Sequence, residues 1–256
     1  MKTLVTANQK GGVGKTAGIV HLAFDFVERG LKVVVIDLDP QANASFTLKD
    51  YQTGLLASQL FGASAKPWPE TAPDHTDGPR IALVAADAAL ANLETMPIGQ
   101  AGAAFRNSIA LLAAQGFDVC LIDTAPSLGV RMAAALLSAD YVLSPIELEA
   151  YSIQGIKQMM TTIANIRIAN PKIKFLGMVA SKVDARNPRH VRHQDELRQA
   201  YPKLMIPVSV GLRSSIADAL ASGVPVWTIK RTAARVAAEE VRALAEYVFE
   251  KMEIEQ

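Results

Sequence analysis

The chain has 256 residues, half of them apolar and a fifth charged, with a formal net charge of +1. This composition is ordinary for a soluble globular protein, and the balanced charge singles out neither nucleic acid nor a membrane as a partner. The single cysteine, Cys120, excludes a disulfide within the chain and fits a reducing cytoplasm. Apolar stretches are too short to cross a bilayer, and the N-terminus leads directly into a strand-like segment, so we expect no signal peptide.

Apolar segments of strand length alternate with segments of helical periodicity along almost the whole chain. Several are rich in Val, Ile and Leu without alternation, as expected for strands that helices cover on both faces. The pattern predicts a single α/β domain over residues 1–256, with a mostly parallel β-sheet flanked by helices on both faces. A proline-rich stretch over 62–79 is predicted to be a loop. The predicted strands are 3–7, 32–37, 80–85, 118–123, 141–146, 174–181 and 205–210.

The first predicted strand leads into a glycine-rich turn and then a helix, which is the context that a phosphate-binding loop requires. Glycines let the chain pass close to phosphate oxygens, and backbone N–H groups at the helix N-terminus bind the anion. Lys15 is predicted to contact the β- and γ-phosphates of a nucleotide, and the Thr16 hydroxyl to ligate Mg²⁺. The predicted nucleotide-binding residues of the loop are Gly11, Gly12, Val13, Gly14, Lys15, Thr16 and Ala17.

The loop departs from the usual pattern G-x-x-x-x-G-K-[ST], because the first glycine of that pattern would fall at Gln9. An extra lysine, Lys10, stands at the front of the loop instead, which is the deviant form of the Walker A motif. A cation at this point can face a second subunit and neutralise charge that develops on the partner's nucleotide. The sequence therefore predicts a P-loop NTPase with two catalytic lysines, Lys10 and Lys15.

Two further predicted strands end in carboxylates. One runs into Asp37-Leu38-Asp39, and the other ends at Asp123 in the form of a Walker B strand. We expect Asp123 to hold Mg²⁺ through water, because this ion keeps much of its hydration shell. We expect Asp39 to orient the attacking water, which makes it the third predicted catalytic residue.

These motifs together resemble those of the ParA family of partition ATPases, and more narrowly the partition proteins of broad-host-range plasmids. The similarity extends through residues 144–149, 181–186 and 211–225. The resemblance implies a weak ATPase that uses ATP and Mg²⁺, releases ADP, dimerises with ATP and binds DNA without sequence preference. It further implies stimulation by a ParB-type centromere-binding protein, and a cytoplasmic, nucleoid-associated location. The helix-turn-helix domain with which many ParA proteins begin is not expected, because this chain starts on its first strand.

The resemblance also assigns roles to single residues. Lys10 is the signature lysine that reaches across the dimer, and Glu147 and Glu149 lie on the dimer face. The segment 181–184 looks like the N-K-x-D element by which GTPases read guanine, with serine in place of asparagine. In the ParA family this place serves adenine, partly through the backbone and partly through a proline, here Pro207. The identity of the base is therefore implied by the resemblance alone.

Charge is unevenly distributed along the chain. Residues 182–213 contain seven basic and three acidic side chains, whereas residues 239–256 contain six acidic and two basic ones. A nearly neutral protein with this polarity can bind phosphate backbones on one face, although a solvated basic helix would give the same count. The resemblance favours DNA, and the predicted DNA-binding residues are Arg189, Arg192, Arg198 and Arg213.

The main alternative is a MinD-like positioning ATPase that works at the membrane. Such a protein needs a basic amphipathic helix at its C-terminus. Here acidic residues dominate the end of the sequence, and an anionic bilayer would repel them. We therefore predict no membrane partner.

Overall fold

The computed structural model describes residues 1–62, 78–149 and 152–254. Within these ranges eight strands form one parallel sheet. The strands are β1 (Lys2–Thr6), β2 (Lys32–Asp37), β3 (Gln52–Leu56), β4 (Arg80–Ala85), β5 (Val119–Asp123), β6 (Tyr141–Glu147), β7 (Lys174–Val183) and β8 (Met205–Gly211). Their order across the sheet is β3-β4-β2-β5-β1-β6-β7-β8, so β1 lies between β5 and β6 at the centre.

Helices cover both faces of the sheet. In the described residues they are α1 (Lys15–Glu28), α2 (Asn43–Thr47), α3 (Ile98–Ala114), α4 (Val130–Ser138), α5 (Ser152–Ala169), α6 (Pro188–Ala200), α7 (Ser214–Ser222) and α8 (Thr232–Lys251). Apolar side chains of α3 to α6 pack on one face, and those of α1, α2 and α8 pack on the other. No helix in this part of the chain is long and apolar enough to cross a membrane.

Strand β2 explains why the central strands are apolar without alternation. Val33 and Val35 pack with α1 and α8, whereas Val34 and Ile36 pack with α3 and α4. All four side chains are fully buried, and each contributes about 1.5–3 kcal/mol relative to an exposed position. The predicted α/β fold with a parallel sheet between two helical layers is confirmed.

The seven predicted strands are all present, with ends that differ from the prediction by at most two residues. The eighth strand, β3, was not predicted. It lies at one edge of the sheet, where only Thr53 and Leu55 are buried, and Gly54 adopts a positive φ of 84° in its middle. A short edge strand interrupted by glycine gives little apolar signal. Of the predicted loop 62–79, residues 63–77 lie outside the described residues.

One histidine is buried where α1 packs against the sheet. His21 Nδ1 lies 2.8 Å from the carbonyl oxygen of Ala17, which assigns the ring proton to Nδ1. Its Nε2 is buried and has no hydrogen-bond partner among the described residues. Burial lowers the pKa of His21, and the hydrogen bond to Ala17 opposes that effect only in part. The folded protein therefore keeps this imidazole neutral.

Neutral burial of His21 predicts that stability falls as pH decreases from 7 to 5. The unfolded chain takes up a proton near its ordinary pKa of about 6.5, whereas the folded chain does so only at lower pH. Between these two pKa values the loss approaches about 1.4 kcal/mol per pH unit. Urea unfolding at pH 7 and pH 5 should show a smaller pH dependence for His21→Gln than for the wild type. His193→Gln on α6 is the control, and equal pH dependence in all three proteins would contradict the prediction.

Candidate functional site

The phosphate loop connects β1 to α1 at the centre of the sheet. Gly12 and Gly14 have positive φ angles of 74° and 92°, which side chains rarely adopt. A Cβ atom on Gly14 would also lie 2.7 Å from the Ser181 hydroxyl oxygen. Among the described residues no side chain caps the first turn of α1, and that turn carries no acidic residue. Its N–H groups and the positive end of the helix dipole are therefore available to an anion.

Lys15 is buried at the base of this loop. Its Nζ donates to the carbonyl oxygens of Asn8, at 3.3 Å, and Lys10, at 3.2 Å. Burial lowers the pKa of Lys15, while Asp123 and Asp39 act in the opposite direction. The loop thus holds a partly desolvated ammonium group that a phosphate would stabilise.

Thr16 and Asp123 meet at the edge of the sheet beside the loop. The Thr16 hydroxyl donates to Asp123 Oδ2 at 2.6 Å. Burial, followed by the nearby charge of Asp37, raises the pKa of Asp123 to about 7. A hydroxyl and buried carboxylates are the hard oxygen donors that suit Mg²⁺, and the ion would offset their negative charge. The two residues that the sequence assigned to Mg²⁺ therefore fit the ion.

The two carboxylates after β2 have different surroundings. Asp37 is fully buried and accepts hydrogen bonds from the Ser45 hydroxyl (2.7 Å), the Ser45 N–H (2.8 Å) and the Asp39 N–H (3.0 Å). It therefore anchors α2 and the turn that leads to it. Asp39 accepts one hydrogen bond from the Gln41 N–H and lines an open cleft beside Lys15. Of the two, only Asp39 is placed to contact a bound molecule.

This cleft has a volume of about 520 Å³ and lies between the phosphate loop, α2 and the end of α7. Residues 12–17 and Asp39, which the sequence assigns to nucleotide binding and hydrolysis, line it. Gly11 lies against Pro126, which follows β5. Pro207 is not among the described residues that line the cleft. It is the third residue of β8, and its carbonyl oxygen accepts a hydrogen bond from Arg198.

Lys10 projects from the front of the loop towards the surface. Its Nζ lies 2.7 Å from Glu147 Oε2 and 2.5 Å from Glu149 Oε2 of the same chain. Burial alone would lower the pKa of Lys10, but the hydrogen bonds to the two glutamates outweigh it and leave the pKa raised. The three residues that the resemblance places on a dimer face thus form one cluster, in which Lys10 and Glu149 are about half exposed and Glu147 is 18% exposed.

Lys182 also borders the site, and it belongs to the segment 181–184 that the resemblance associates with the base of the nucleotide. It is the residue before the last of β7, has a positive φ of 55° and lines the nucleotide cleft. Its Nζ lies 3.4 Å from Glu147 Oε1, and a Cβ atom on Gly12 would be 3.8 Å from it. Non-glycine residues rarely adopt this conformation, and those that do cluster at functional sites. The positive φ of Lys182 could not be predicted from the sequence, because lysine has no preference for this conformation.

The four predicted DNA-binding arginines fall into two pairs. Arg189 and Arg192 are exposed on α6, as predicted. Arg198, further along α6, donates to the Pro207 carbonyl oxygen at 2.9 Å. Arg213 precedes α7 and donates to both carboxylate oxygens of Glu240, at 2.6 and 3.4 Å. The second pair therefore already makes contacts within the chain, which leave fewer of their N–H donors for a DNA phosphate.

A parallel sheet with a phosphate loop after its central strand, and acids at the ends of the neighbouring strands, defines a P-loop NTPase. A family model described as an AAA domain matches residues 1–175. The chain is 71% identical to protein IncC of Escherichia coli over 259 residues, which cover all of this chain and 71% of the relative. It is 30% identical to the chromosome partitioning protein ParA of Caulobacter vibrioides, covering 88% of this chain and 86% of that protein.

Among solved structures, the fold is similar to that of a cobyrinic acid a,c-diamide synthase from Mycobacterium smegmatis, solved with bound ATP analog and magnesium. The TM-score is 0.76 and the identity 28%, over 96% of this chain and 93% of that one. The chain belongs to the ParA family of partition ATPases. The family predicted from the motifs is therefore confirmed.

Proposed function

We propose that the chain is a DNA partition ATPase that dimerises with ATP and, as a dimer, binds DNA without sequence preference. A ParB-type centromere-binding protein stimulates its slow hydrolysis, and the protein works in the cytoplasm on the nucleoid. The observation that carries the proposal is the position of two lysines on one phosphate loop. Lys15 is buried at the base of the loop, and Lys10 lies on the surface beside Glu147 and Glu149.

The chemistry of the site follows from its donors. The loop N–H groups and Lys15 bind the phosphates, while Thr16 and Asp123 hold Mg²⁺, whose positive charge stabilises the charge that develops on the phosphates. Asp39 accepts a hydrogen bond from the attacking water and orients it. The ATP analog and magnesium in the similar Mycobacterium smegmatis structure support this assignment.

Lys10 acts on the nucleotide of the other protomer. To do so it exchanges Glu147 and Glu149 for the partner's phosphates. Lys10 and Glu149 are about half exposed, so breaking their ion pair costs only about 0–1 kcal/mol, and Glu147 keeps Lys182 as a second partner at 3.4 Å.

Sedimentation with DNA is the direct test of the proposal. The protein is incubated with a DNA duplex of arbitrary sequence together with ATP, ADP or no nucleotide, and the fraction that sediments with DNA is measured. We expect binding with ATP and little with ADP or without nucleotide, because the dimer doubles the basic surface. Equal binding in all three conditions would contradict ATP-dependent DNA binding.

Exposed arginines on α6 are expected to contact DNA phosphates. The double variant Arg189→Ala/Arg192→Ala should weaken binding to two unrelated duplexes equally and leave ATP affinity unchanged. The slope of log affinity against log salt should fall by about four for the dimer, because each of the two chains loses two arginines and each lost phosphate contact lowers the slope by about one. Arg106→Ala removes an exposed arginine of α3 and should change neither value. An unchanged slope in the double variant would identify these arginines as merely solvated.

Arg213 requires a separate control, because Arg213→Ala leaves Glu240 without this ion pair. A loss of DNA binding in that variant counts only if its melting temperature is unchanged.

Asp39→Ala is expected to slow ATP hydrolysis about 100-fold, because the attacking water loses its acceptor. Dimerisation with ATP and DNA binding should remain, since the metal and phosphate contacts are intact. Steady-state hydrolysis and size-exclusion chromatography with ATP measure the two properties. Asp37→Ala is the matched control and should mainly destabilise the fold, because it removes three hydrogen bonds to a buried carboxylate. An Asp39→Ala protein that stays monomeric with ATP would refute the assignment.

A further inference from the structure

An ion pair between a buried arginine and a partly exposed glutamate lies behind the predicted catalytic carboxylate. Arg131, the second residue of α4, is 7% exposed, and its Nε donates to Glu94 Oε1 at 2.7 Å. The other oxygen of Glu94 accepts from the N–H of Val130 at 3.0 Å and so caps α4. A Cβ atom on Gly129 would lie 2.1 Å from Glu94 Oε2, so a larger residue there would displace this carboxylate.

The free end of the Arg131 guanidinium reaches the segment that contains Asp39. Its Nη1 donates to the carbonyl oxygen of Leu38 at 3.1 Å. The Leu38 N–H donates in turn to the carbonyl oxygen of Asp123 at 2.9 Å. The backbone of Leu38 is therefore held on one side by the end of β5 and on the other by Arg131. The carbonyl that Arg131 binds belongs to the peptide unit that carries the Asp39 nitrogen.

If Arg131 served only to pack α4 against the sheet, an apolar side chain would do so without the cost of desolvating a charge. Its neighbours Val130 and Met132 are buried and apolar, and α4 packs on the sheet through such side chains. The Glu94 side chain is 37% exposed, so an apolar residue in place of Arg131 would leave no fully buried charge without a partner. Glu94 already caps α4 through its other oxygen, so the cap does not require Arg131. What remains specific to Arg131 is its hydrogen bond to Leu38.

We propose that Arg131 is a positioning residue for Asp39, and that Glu94 holds its guanidinium in place. Arg131 fixes the peptide before Asp39, so that the Asp39 carboxylate meets the attacking water in the geometry that hydrolysis needs. This inference rests on the proposed function, because it takes Asp39 as the residue that orients water. Displacements of about 1 Å at a reacting group can lower a rate about 100-fold.

The test compares Arg131→Met and Arg131→Lys with the wild type. For Arg131→Met we expect kcat of basal ATP hydrolysis to fall about 10- to 100-fold. The dissociation constant for a fluorescent ATP analog should stay within about threefold. The melting temperature should change little, because Glu94 is partly exposed and keeps its hydrogen bond from the Val130 N–H. Arg131→Lys keeps the charge with fewer donors, and should recover part of kcat. Guanidinium ion at millimolar concentration should partly rescue the truncated variant Arg131→Ala, which leaves room for the ion, and a merely structural role would not produce this rescue.

Two further variants separate positioning from stability. Glu94→Gln retains an acceptor for the Val130 N–H but removes the charge, so its kcat should fall less than that of Arg131→Met. The double variant Glu94→Gln/Arg131→Met should have the same kcat as Arg131→Met alone, because both changes affect the same hydrogen bond to Leu38. Arg106→Met is the matched control: this arginine also donates to a carbonyl oxygen, that of Leu137, and its removal should leave kcat unchanged.

The outcomes distinguish this inference from the proposed function. If Asp39→Ala slows hydrolysis but Arg131→Met and Glu94→Gln retain the wild-type kcat, the inference is overturned and the function of Asp39 stands. If kcat, nucleotide affinity and melting temperature all fall together in both Arg131 variants, the pair is structural and the inference is also overturned. If Asp39→Ala hydrolyses ATP at the wild-type rate, the proposed role of Asp39 is wrong, and the inference about Arg131, which rests on that role, is overturned with it.

Discussion

Lys15→Gln is expected to lower the affinity for ATP by about 100-fold or more, so that nucleotide binding is no longer measurable at micromolar concentrations. Lys15 is the buried cation of the phosphate loop, held by the carbonyl oxygens of Asn8 and Lys10. Charge-assisted hydrogen bonds contribute about 1.5–3 kcal/mol each, and the β- and γ-phosphates each lose one. The N–H groups of the loop remain, but they carry only partial charges.

Loss of binding must be separated from loss of the fold. Glutamine removes a charge that burial already disfavours, as the lowered pKa of Lys15 indicates, so the melting temperature of the variant should not fall. Lys172→Gln is the matched control, because Lys172 is exposed at the opposite end of the sheet, just before β7. Calorimetric titration with ATP and Mg²⁺ gives the affinities. If Lys15→Gln binds ATP with wild-type affinity, Lys15 does not contribute to nucleotide binding and the prediction is wrong.

The sequence was most informative where the chain must satisfy backbone geometry or bury apolar surface. The central strands and the phosphate loop were predicted because Val, Ile and Leu runs and closely spaced glycines have few alternative explanations. Strand β3 gave a weak signal, since it is short, half exposed and interrupted by Gly54. Runs of apolar residues in a sequence indicate buried strands, and an edge strand such as β3 buries few side chains.

Side-chain partners that are distant in the chain could not be predicted in the same way. Asp37 and Asp39 are both carboxylates after one strand, and only the hydrogen bonds with Ser45 make the first of them structural. Arg213 has the charge of a DNA-binding residue, but Glu240, 27 positions further on, already occupies it. Arg131 stands in an otherwise apolar segment and drew no attention, because its hydrogen bonds to Glu94 and Leu38 depend on the fold.

Lys10→Ala is expected to retain ATP binding within a few-fold and to lose hydrolysis by a factor of about 1,000, together with ATP-dependent dimerisation. The first part follows from position: Lys10 is about half exposed and points away from the cleft towards Glu147 and Glu149. The second part follows from the proposed role in the partner's site, since a cation that stabilises developing charge acts mainly on the reaction step. The fold should be little affected, because exposed ion pairs contribute about 0–1 kcal/mol.

Mixing variants tests whether Lys10 acts on its own nucleotide or on that of the partner. In a dimer of one Lys10→Ala chain and one Asp39→Ala chain, the nucleotide on the first chain has an intact Asp39. If Lys10 acts across the interface, this nucleotide also receives Lys10 from the second chain, and one complete site results. The mixed dimer keeps one of its two Lys10 contacts across the interface, so it can form although Lys10→Ala alone does not dimerise. Equal mixing should then raise the activity above that of either variant alone, to at most about a quarter of the wild-type rate, which is the value for random pairing with one working site in each mixed dimer. If Lys10 acts within its own chain, neither site of the mixed dimer is complete and the mixture stays as inactive as its components. Hydrolysis by Lys10→Ala alone at the wild-type rate would exclude both roles.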